Sequence, residues 1–555
     1  MTENLSGTVL PVSPAPSSAK TRSDSRRSGS GRRSALLSST ALLHAACVAS
    51  FMAALGAPAG LAVAQPTNPA VVSGAATFRQ SGPTYTIRQA SDKAIIQWSS
   101  FGNQAGETIR FDQPGQNSAV LNRVTGGDMT RILGSIQANG KVFVINPNGV
   151  LVGAGARIDT GGFLASTLDV ADDAFLAGGD LLLKGGSQAG IVNLGDISAG
   201  SGDVLLVART VANHGTITAA QGLAGLAAGT EVLYKPAGED RIFVRSSAGA
   251  QSAVGIDQQG VIAAAAAELK AAGGNAYALA VNSAGSIQAT GIEDRGGRIV
   301  LTAAGGDVEV SGDLTARRAD GSGGTVLVGG DYQGSNAADV PAAANVTVTA
   351  SARIAADGDA EHDGGKVVVW SDGLTRMEGR ISATGAQGGN AEVSGRTLAF
   401  RGLADLRGAQ GGAGTLLLDP NDEVIDAADA GTLSDQLNLS SVKVEASNSI
   451  TLLSDSVIKW SAGTTLTLDA GMGSTTLYGT ITGRSPDSAL SIAGHGDVYI
   501  GGNVGAGSID IPNAYYLALY TGATLSAFGS DMGRPNGILS LGWVGDSSSG
   551  GGMDF

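Results

Sequence analysis

Four histidines, one cysteine and scattered carboxylates are the side chains of this 555-residue sequence that could move protons or hold a metal. His214 stands in VANHGTITA, and the matching position of the preceding unit, IVNLGDISA, is Leu194. A histidine interchangeable with leucine along a repeat reads as a rung of a scaffold. His362 lies in DGDAEHDGG with Asp357, Asp359, Glu361 and Asp363. Their oxygens could attract Ca²⁺, but EF-hand spacing and the Gly-Gly-x-Gly-x-Asp repeat are both missing, so a solvated loop is the simpler reading. His495, in GHGD, has no motif partner and reads as a turn residue. Glycoside hydrolysis needs two carboxylates held across the scissile bond, and a lyase needs a base beside a cation. Asp307 with Asp313, and Arg317 with Arg318, fall at turns without distinctive spacing. The pairs Gly153/Gly155 and Gly505/Gly507 do not complete a dinucleotide fingerprint, because Ile158 and Asp510 stand where its third glycine belongs. These patterns predict no catalytic constellation, no cofactor and no metal centre.

Composition says what must position such residues. Glycine accounts for 85 of 555 residues, aromatics for 4% and charged residues for 15%, while hydrophobic content is 43%. That apolar share argues against disorder, and abundant Gly beside Val, Ile, Leu, Ala and Thr predicts many short strands and turns. The first 64 residues read as a secretory signal peptide with an extended basic n-region: Lys20, Arg22, Arg26, Arg27, Arg32 and Arg33 precede an apolar run over 35–55. Ala62-Val63-Ala64 offers a small-x-small cleavage site before Gln65. The single cysteine, Cys47, lies mid-run, and His44 stands where a lipobox wants leucine, so neither lipidation nor a mature disulfide is expected. No second apolar stretch of spanning length follows, which predicts no stable membrane span. The leader holds six Lys/Arg and two Asp/Glu, so its removal leaves 29 basic against 47 acidic residues and takes the formal net charge from −14 to −18. An acidic chain with scattered bases is poorly suited to nucleic acid.

The chain then repeats itself. Gly, one residue, Ile or Leu, one residue and Ala recur from Gly134, Gly195, Gly215, Gly260, Gly285, Gly312 and Gly379. Steps of 20, 25 and 27 residues separate Gly195–Gly215, Gly260–Gly285 and Gly285–Gly312, periods that mean a solenoid. A second strand class interleaves: DVLLVA from Asp203, RIVLTA from Arg298, TVLVGG from Thr325 and KVVVW from Lys366. Each strand has too little apolar area to be stable alone, but coils stacked at about 4.8 Å bury a continuous Ile/Val/Leu core. The expected fold class is therefore all-β, a right-handed parallel β-helix. Alanine-rich 261–273 could form a helix on propensity alone, yet it runs into the next rung and reads as a strand pair. Over 77–109, Tyr85, Ile87, Ile95 and Trp98 are expected inward or capping, with Trp98 a cap rather than a ligand platform.

The most specific stretch is 117–149, NSAVLNRVTGGDMTRILGSIQANGKVFVINPNG. Pro147 presets φ for the second place of a tight turn, Asn146 can cap it, and Asn148 and Gly149 tolerate the left-handed conformation that ends it. IIQW (95–98), NSAVLNRV (117–124), VFVINPNG (142–149) and GGFLASTLD (161–169), in that order, resemble the secretion (TPS) domain of two-partner-secretion exoproteins of the filamentous haemagglutinin family. The resemblance is nearest to the high-molecular-weight-adhesin subgroup. GGKVVVWSDGLTRMEGRISATGAQGGNAEVSG (364–395) is similar to a recurring stalk coil of such proteins, and GGAGTLLLDPND (411–422) to their terminating Leu-Leu-Leu-Asp-Pro element.

The resemblance implies a TPS cap and first coils over 65–330, with its core at 77–170. Further β-helix repeats are expected over 331–420, and a second β-rich section with a frayed tail over 421–555. It implies export through a dedicated outer-membrane POTRA-barrel transporter of the TpsB type, with Asn117, Asn122, Arg123, Asn146, Pro147, Asn148 and Gly149 serving module integrity and transporter recognition. The cleavage residues would be Ala62, Ala64 and Gln65. Adhesion to cells or surfaces is the implied use outside, rather than catalysis. A β-helical polysaccharide-active enzyme and the truncated stalk of a contact-dependent toxin or haemolysin are the alternatives, because a fold does not name a function.

Overall fold

The seven glycine-led repeats stack in one column. The strands that follow them, Ser135–Ala138, Asp196–Ala199, the first part of Thr216–Ala228, the first part of Val261–Ala272, Ser286–Thr290, Asp313–Arg317 and Arg380–Ser382, lie on one face, joined by parallel pairing. Their isoleucines, Ile136, Ile197, Ile217, Ile262, Ile287 and Ile381, are at most 1% exposed and form one inner row. The glycine is required by close approach. At Gly215, Gly260, Gly285 and Gly312 an added Cβ would run into the carbonyl oxygen of the column glycine one coil earlier. Two rungs complete the column with alanine in the glycine place: Arg157–Thr160 after Ala156, and Arg353–Ala355 after Ala352.

The computed structural model describes residues 66–245, 255–272, 279–292, 296–528, 538–543 and 553–554. The leader and the cleavage residues Ala62, Ala64 and Gln65 lie outside the described residues. Three faces of parallel strands wind into a β-helix. The second face runs from Lys93–Trp98 through Ala119–Val124, Lys141–Ile145, Gly162–Ser166 and Val204–Ala208 to Thr415–Asp419 and beyond. The third runs through Thr130–Ile132, Val150–Val152, Ile191–Asn193, Val211–Asn213 and Ile256–Gln258. Asn193, Asn213 and Gln258 face the interior of that third face. Asn193 Nδ2 donates to Asn213 Oδ1 (2.8 Å) and Asn213 Nδ2 to Gln258 Oε1 (2.7 Å), so a buried polar column is satisfied by its own repetition.

The first strands close the N-terminal end. Ala70–Ser73 pairs antiparallel with Lys93–Trp98, and Ala76–Ser81 forms a hairpin with Thr84–Gln89. Trp98 is fully buried among Phe78, Tyr85 and Phe101 with ring centroids 5.5–6.1 Å apart, as a capping residue should be. Ile95 instead faces outward, into a second core formed where helix Asp172–Ala177 and an antiparallel sheet cover the β-helix. That sheet, Leu181–Lys184, Glu231–Tyr234 and Ile242–Arg245, is an extra layer that the repeat pattern does not show. Val261–Ala272 is one long strand. Its first part pairs with Ser286–Thr290 and its second with Arg298–Ala304, so alanine here serves a tight corner rather than a helix.

The Leu-Leu-Leu-Asp-Pro segment is itself a rung, because Thr415–Asp419 stacks on Ser441–Glu445. Helix Ala427–Gln436, N-capped by Asp426 (2.8 Å to Ala428 N and to Asp429 N), packs against Leu403–Asp405 and Val457–Trp460. Gln436 substitutes for a strand there: its amide accepts from Ala404 N (2.8 Å) and donates to Ala404 O (2.6 Å). The third face continues from Asp422–Ile425, just ahead of this helix, and the first resumes after it from Val457–Trp460.

On the outer side of the second face, Glu392 is 1% exposed and accepts from Gln333 N with both oxygens (3.1 and 3.0 Å), pinning the covering segment 331–343. Desolvation pushes its carboxyl up to about 7, with the Asp419 charge adding to the rise and Ser394, Gln333 N–H and Lys366 working against it. Lys366 in turn faces Asp331 at 3.9 Å. A carboxyl whose folded value lies above its ordinary 4.5 binds its proton more tightly when folded, so its contribution is full at low pH and falls as pH rises from about 4.5 to 7. Glu392→Gln should remove up to about 3 kcal/mol of that dependence. Denaturation midpoints at pH 5 and pH 8 check this: the gap between wild type and variant should shift in favour of the variant at pH 8. An unchanged gap would contradict it.

Candidate functional site

The turn Asn146-Pro147-Asn148-Gly149 joins Lys141–Ile145 to Val150–Val152. Gly149 N donates to Asn146 O (3.0 Å) and closes it. Asn146 is fully buried: its Oδ1 accepts from Asn148 N (2.9 Å), and its Nδ2 donates to Asp128 O (2.9 Å) and Thr130 Oγ1 (3.0 Å). Asn148 Nδ2 donates to Gly126 O (2.8 Å), and Ser187 Oγ donates to Pro147 O (2.6 Å). The turn is therefore fastened to the coil before it and the coil after it. Pro147 and Asn148 are exposed on top of that support.

The turn differs from expectation in one detail. Gly149 has φ +106°, but Asn148 does not take the left-handed conformation; among the described non-glycine residues only Asn68 and Gln333 do. The steric reason is that glycine alone avoids the Cβ clash in that region, so it carries the whole reversal. Asn148 contributes through its side-chain amide.

Asn122 and Arg123 are neighbours in Ala119–Val124 and point to opposite sides. Asn122 is fully buried, accepting from Trp98 Nε1 (3.0 Å) and donating to Phe143 O (3.1 Å). It supplies the partner that a buried indole N–H needs. Arg123 reaches outward to Asp169 (3.0 Å), Asp172 (2.8 Å) and Val170 O (2.9 Å). Burial works against its charge, but the two carboxylates outweigh that and move its pKa up. The pairing fastens the first turn of helix Asp172–Ala177, whose Phe175 packs on Phe143 at 5.3 Å. Lys93 Nζ holds the other end, donating to Phe175 O (3.0 Å) and Leu176 O (2.6 Å). Asn117 is exposed in the bend ahead of the strand and is not gathered with the others. The partners Asp128, Thr130, Asp169 and Asp172 escaped sequence reasoning, since only coil stacking brings them within reach.

The titratable residues singled out first are spread along the scaffold. His214 is a rung residue whose Nε2 lies 2.8 Å from Asp257 Oδ2. Around His362 the carboxylates diverge: Asp357 accepts from Thr384 N (2.7 Å), Asp363 from Gln387 N (3.1 Å), and Asp359 pairs with His362 (2.7 Å) and Arg317 (3.3 Å). Asp307 accepts from Asn345 Nδ2 (2.8 Å). Among the described residues, no three His, Cys, Asp or Glu side chains are placed to share a metal ion. No helix among them is long and apolar enough to cross a membrane.

Residues 62–316 match the family model of the TPS secretion domain. A heme/hemopexin-binding protein of Haemophilus influenzae is 46% identical over 85 residues, 15% of this chain and 9% of that protein. A second, from H. influenzae strain Rd, is 41% identical over 105 residues, 19% of this chain and 12% of that protein. The shared segments thus span about a tenth of the length of these curated relatives. Among solved structures, the HMW1 secretion domain from H. influenzae is 27% identical with a TM-score of 0.49, covering 64% of this chain and 100% of that one. The filamentous hemagglutinin secretion domain is 19% identical with a TM-score of 0.31, covering 60% of this chain and 99% of that one. Residues 62–316 are a TPS secretion domain, the part of this chain that the family model covers.

Proposed function

We propose that this chain is carried across the outer membrane by a POTRA-barrel transporter and acts outside the cell as a haemagglutinin-like adhesin. The observation that carries the export reading is the secretion domain over 62–316, with a capped β-helix at its N-terminal end. The physical route follows from the stacking. Each coil finds its hydrogen-bond partners on the coil before it, so folding can propagate from the capped end as the chain emerges. Burial of successive inner rows then opposes backsliding. The mature chain holds no cysteine that could lock it beforehand.

In this reading Pro147 and Asn148 present the recognition surface, while Asn146, Gly149, Asn122 and Arg123 hold its shape; Asn117, exposed ahead of Ala119–Val124, stands apart from the turn. The extended β-helix presents its outer faces to a cell or surface ligand. Heme or haemopexin binding, named in the two relatives, is not carried across by segments that are 9% and 12% of their length.

Replacing Asn146 and Asn148 together with alanine leaves Asp128 O, Thr130 Oγ1, Gly126 O and Asn148 N without their partners. The expected local cost is about 1–3 kcal/mol. Secreted protein should fall by more than total expressed protein, as quantified by immunoblot of medium and cells in the presence of the transporter. Undiminished secretion by the double variant would show that the turn is not a determinant.

A further inference from the structure

Five of the nine tyrosines of the chain fall between residues 478 and 520. They lie on or just beside the strands of the sheet Asp422–Ile425, Ser449–Leu452, Ser474–Leu477, Asp497–Ile500, Tyr516–Leu519, far along the chain from the secretion domain. Leu477 pairs with Ile500 and Ile500 with Leu519, so the residues that follow, Tyr478, Gly501 and Tyr520, occupy one outer column. Tyr499 stands beside it, in register with Thr476 and Ala518. The rings of Tyr478 and Tyr520 are parallel within 8° at 6.4 Å, and those of Tyr499 and Tyr520 within 10° at 6.3 Å. At those separations the parallel rings are offset from one another rather than sandwiched face to face. Tyr478 and Tyr520 are each 46% exposed. Gly501 makes the step possible, because an added Cβ would sit 3.0 Å from Tyr478 Cδ1 and 3.2 Å from Tyr520 Cδ2.

We propose that this tyrosine terrace is a binding site for neutral oligosaccharides. A hexose presents a flat patch of weakly positive C–H groups, which the negative face of an aromatic ring attracts, and its rim of hydroxyls needs donors and acceptors. Steps between coils present ring after ring along the axis, as successive sugar units of an extended glycan require. Tyrosine supplies the ring at low conformational cost and adds a hydroxyl. Tyr499 Oη donates to Asp497 (3.0 Å), which sets a carboxylate acceptor at the edge of the terrace. Charge narrows the occupant. The four strands from Ser449 to Leu519 on this sheet contain no lysine or arginine, and the chain carries a formal charge of −14. Sialylated or sulfated glycans, anionic phospholipid headgroups and a second copy of this chain would all meet like charge, whereas a neutral sugar meets none. This inference stands apart from the export reading, since it concerns the folded chain once purified.

The test is calorimetric titration of the purified full chain with cellohexaose, mannohexaose and chitohexaose, with 3′-sialyllactose as the charged control. At least one neutral hexasaccharide should bind at millimolar or lower concentration, and sialyllactose should not. Tyr520→Ala should weaken that binding at least tenfold, while Tyr520→Phe, which keeps the ring, should stay within about threefold. Hydrogen exchange of the wild-type chain gives a readout that needs no variant: the bound sugar should protect residues 474–520. Binding of none of the neutral sugars would overturn the proposal. So would protection confined to other segments, tighter binding of sialyllactose, or a terrace whose tyrosines govern only self-association or capture of a protein.

Discussion

Trp98→Ala is expected to cost about 3–5 kcal/mol, the range for truncating a large buried aromatic. The indole is fully buried and touches Phe78, Tyr85 and Phe101, so its removal opens a cavity at the end of the core where no further coil can fill it. A second effect adds to the cavity. Asn122 Oδ1 loses the indole N–H that satisfies it at 3.0 Å, inside a fully buried site. Trp98→Phe separates the two effects: it restores most of the packing but not the hydrogen bond, and should cost less than half as much. Equilibrium denaturation of the folded chain checks both values. A loss below about 1 kcal/mol for Trp98→Ala would mean that the cap is not a stability determinant.

Lys270→Met is the second large effect, again about 3–5 kcal/mol. Lys270 and Glu268 are each 2% exposed, on the same strand Val261–Ala272, with Nζ 3.2 Å from Glu268 Oε2. Lys270 also lies 3.5 Å from Asp240 and donates to Asp339 O at 3.3 Å. Glu268 accepts from Arg241 N (2.8 Å) and Ile242 N (2.9 Å), so the pair fastens the antiparallel outer sheet to the β-helix. Removing the cation alone strands a buried carboxylate. Lys270→Met combined with Glu268→Gln removes both charges and keeps an acceptor for the backbone amides, and should recover at least half the loss. A double variant as unstable as the sum of its parts would contradict the charge-pair account.

These two sites show where sequence reasoning works and where it stops. The glycine-led repeat was legible because one steric demand, a carbonyl from the coil before, recurs at each turn. Ala156 and Ala352 hid their rungs because alanine satisfies the same place with a small backbone adjustment, and a pattern that demands glycine passes over them. Trp98 reads as a cap because it sits inside a strand pattern, where a large apolar ring belongs against a core. The outer sheet did not, since Leu181–Lys184, Glu231–Tyr234 and Ile242–Arg245 are joined across long insertions that carry no repeat. The same limit applies at the turn. Asn146, Pro147 and Gly149 announce a reversal by type, but Asp128, Thr130 and Ser187, which hold it, are supplied by neighbouring coils. Only the motif points to Arg123, and its carboxylates at Asp169 and Asp172 lie 46 and 49 residues away. Alternation places Ile95 inward, yet the covering layer makes the outer side of that strand equally apolar.

The central claim is transporter-dependent export, and one measurement bears on it most directly: the fraction of the full chain found outside the cell with and without a co-expressed POTRA-barrel partner. The account predicts that the chain accumulates outside only when the partner is present. Equal export without the partner, or retention in the periplasm with it, would contradict the account.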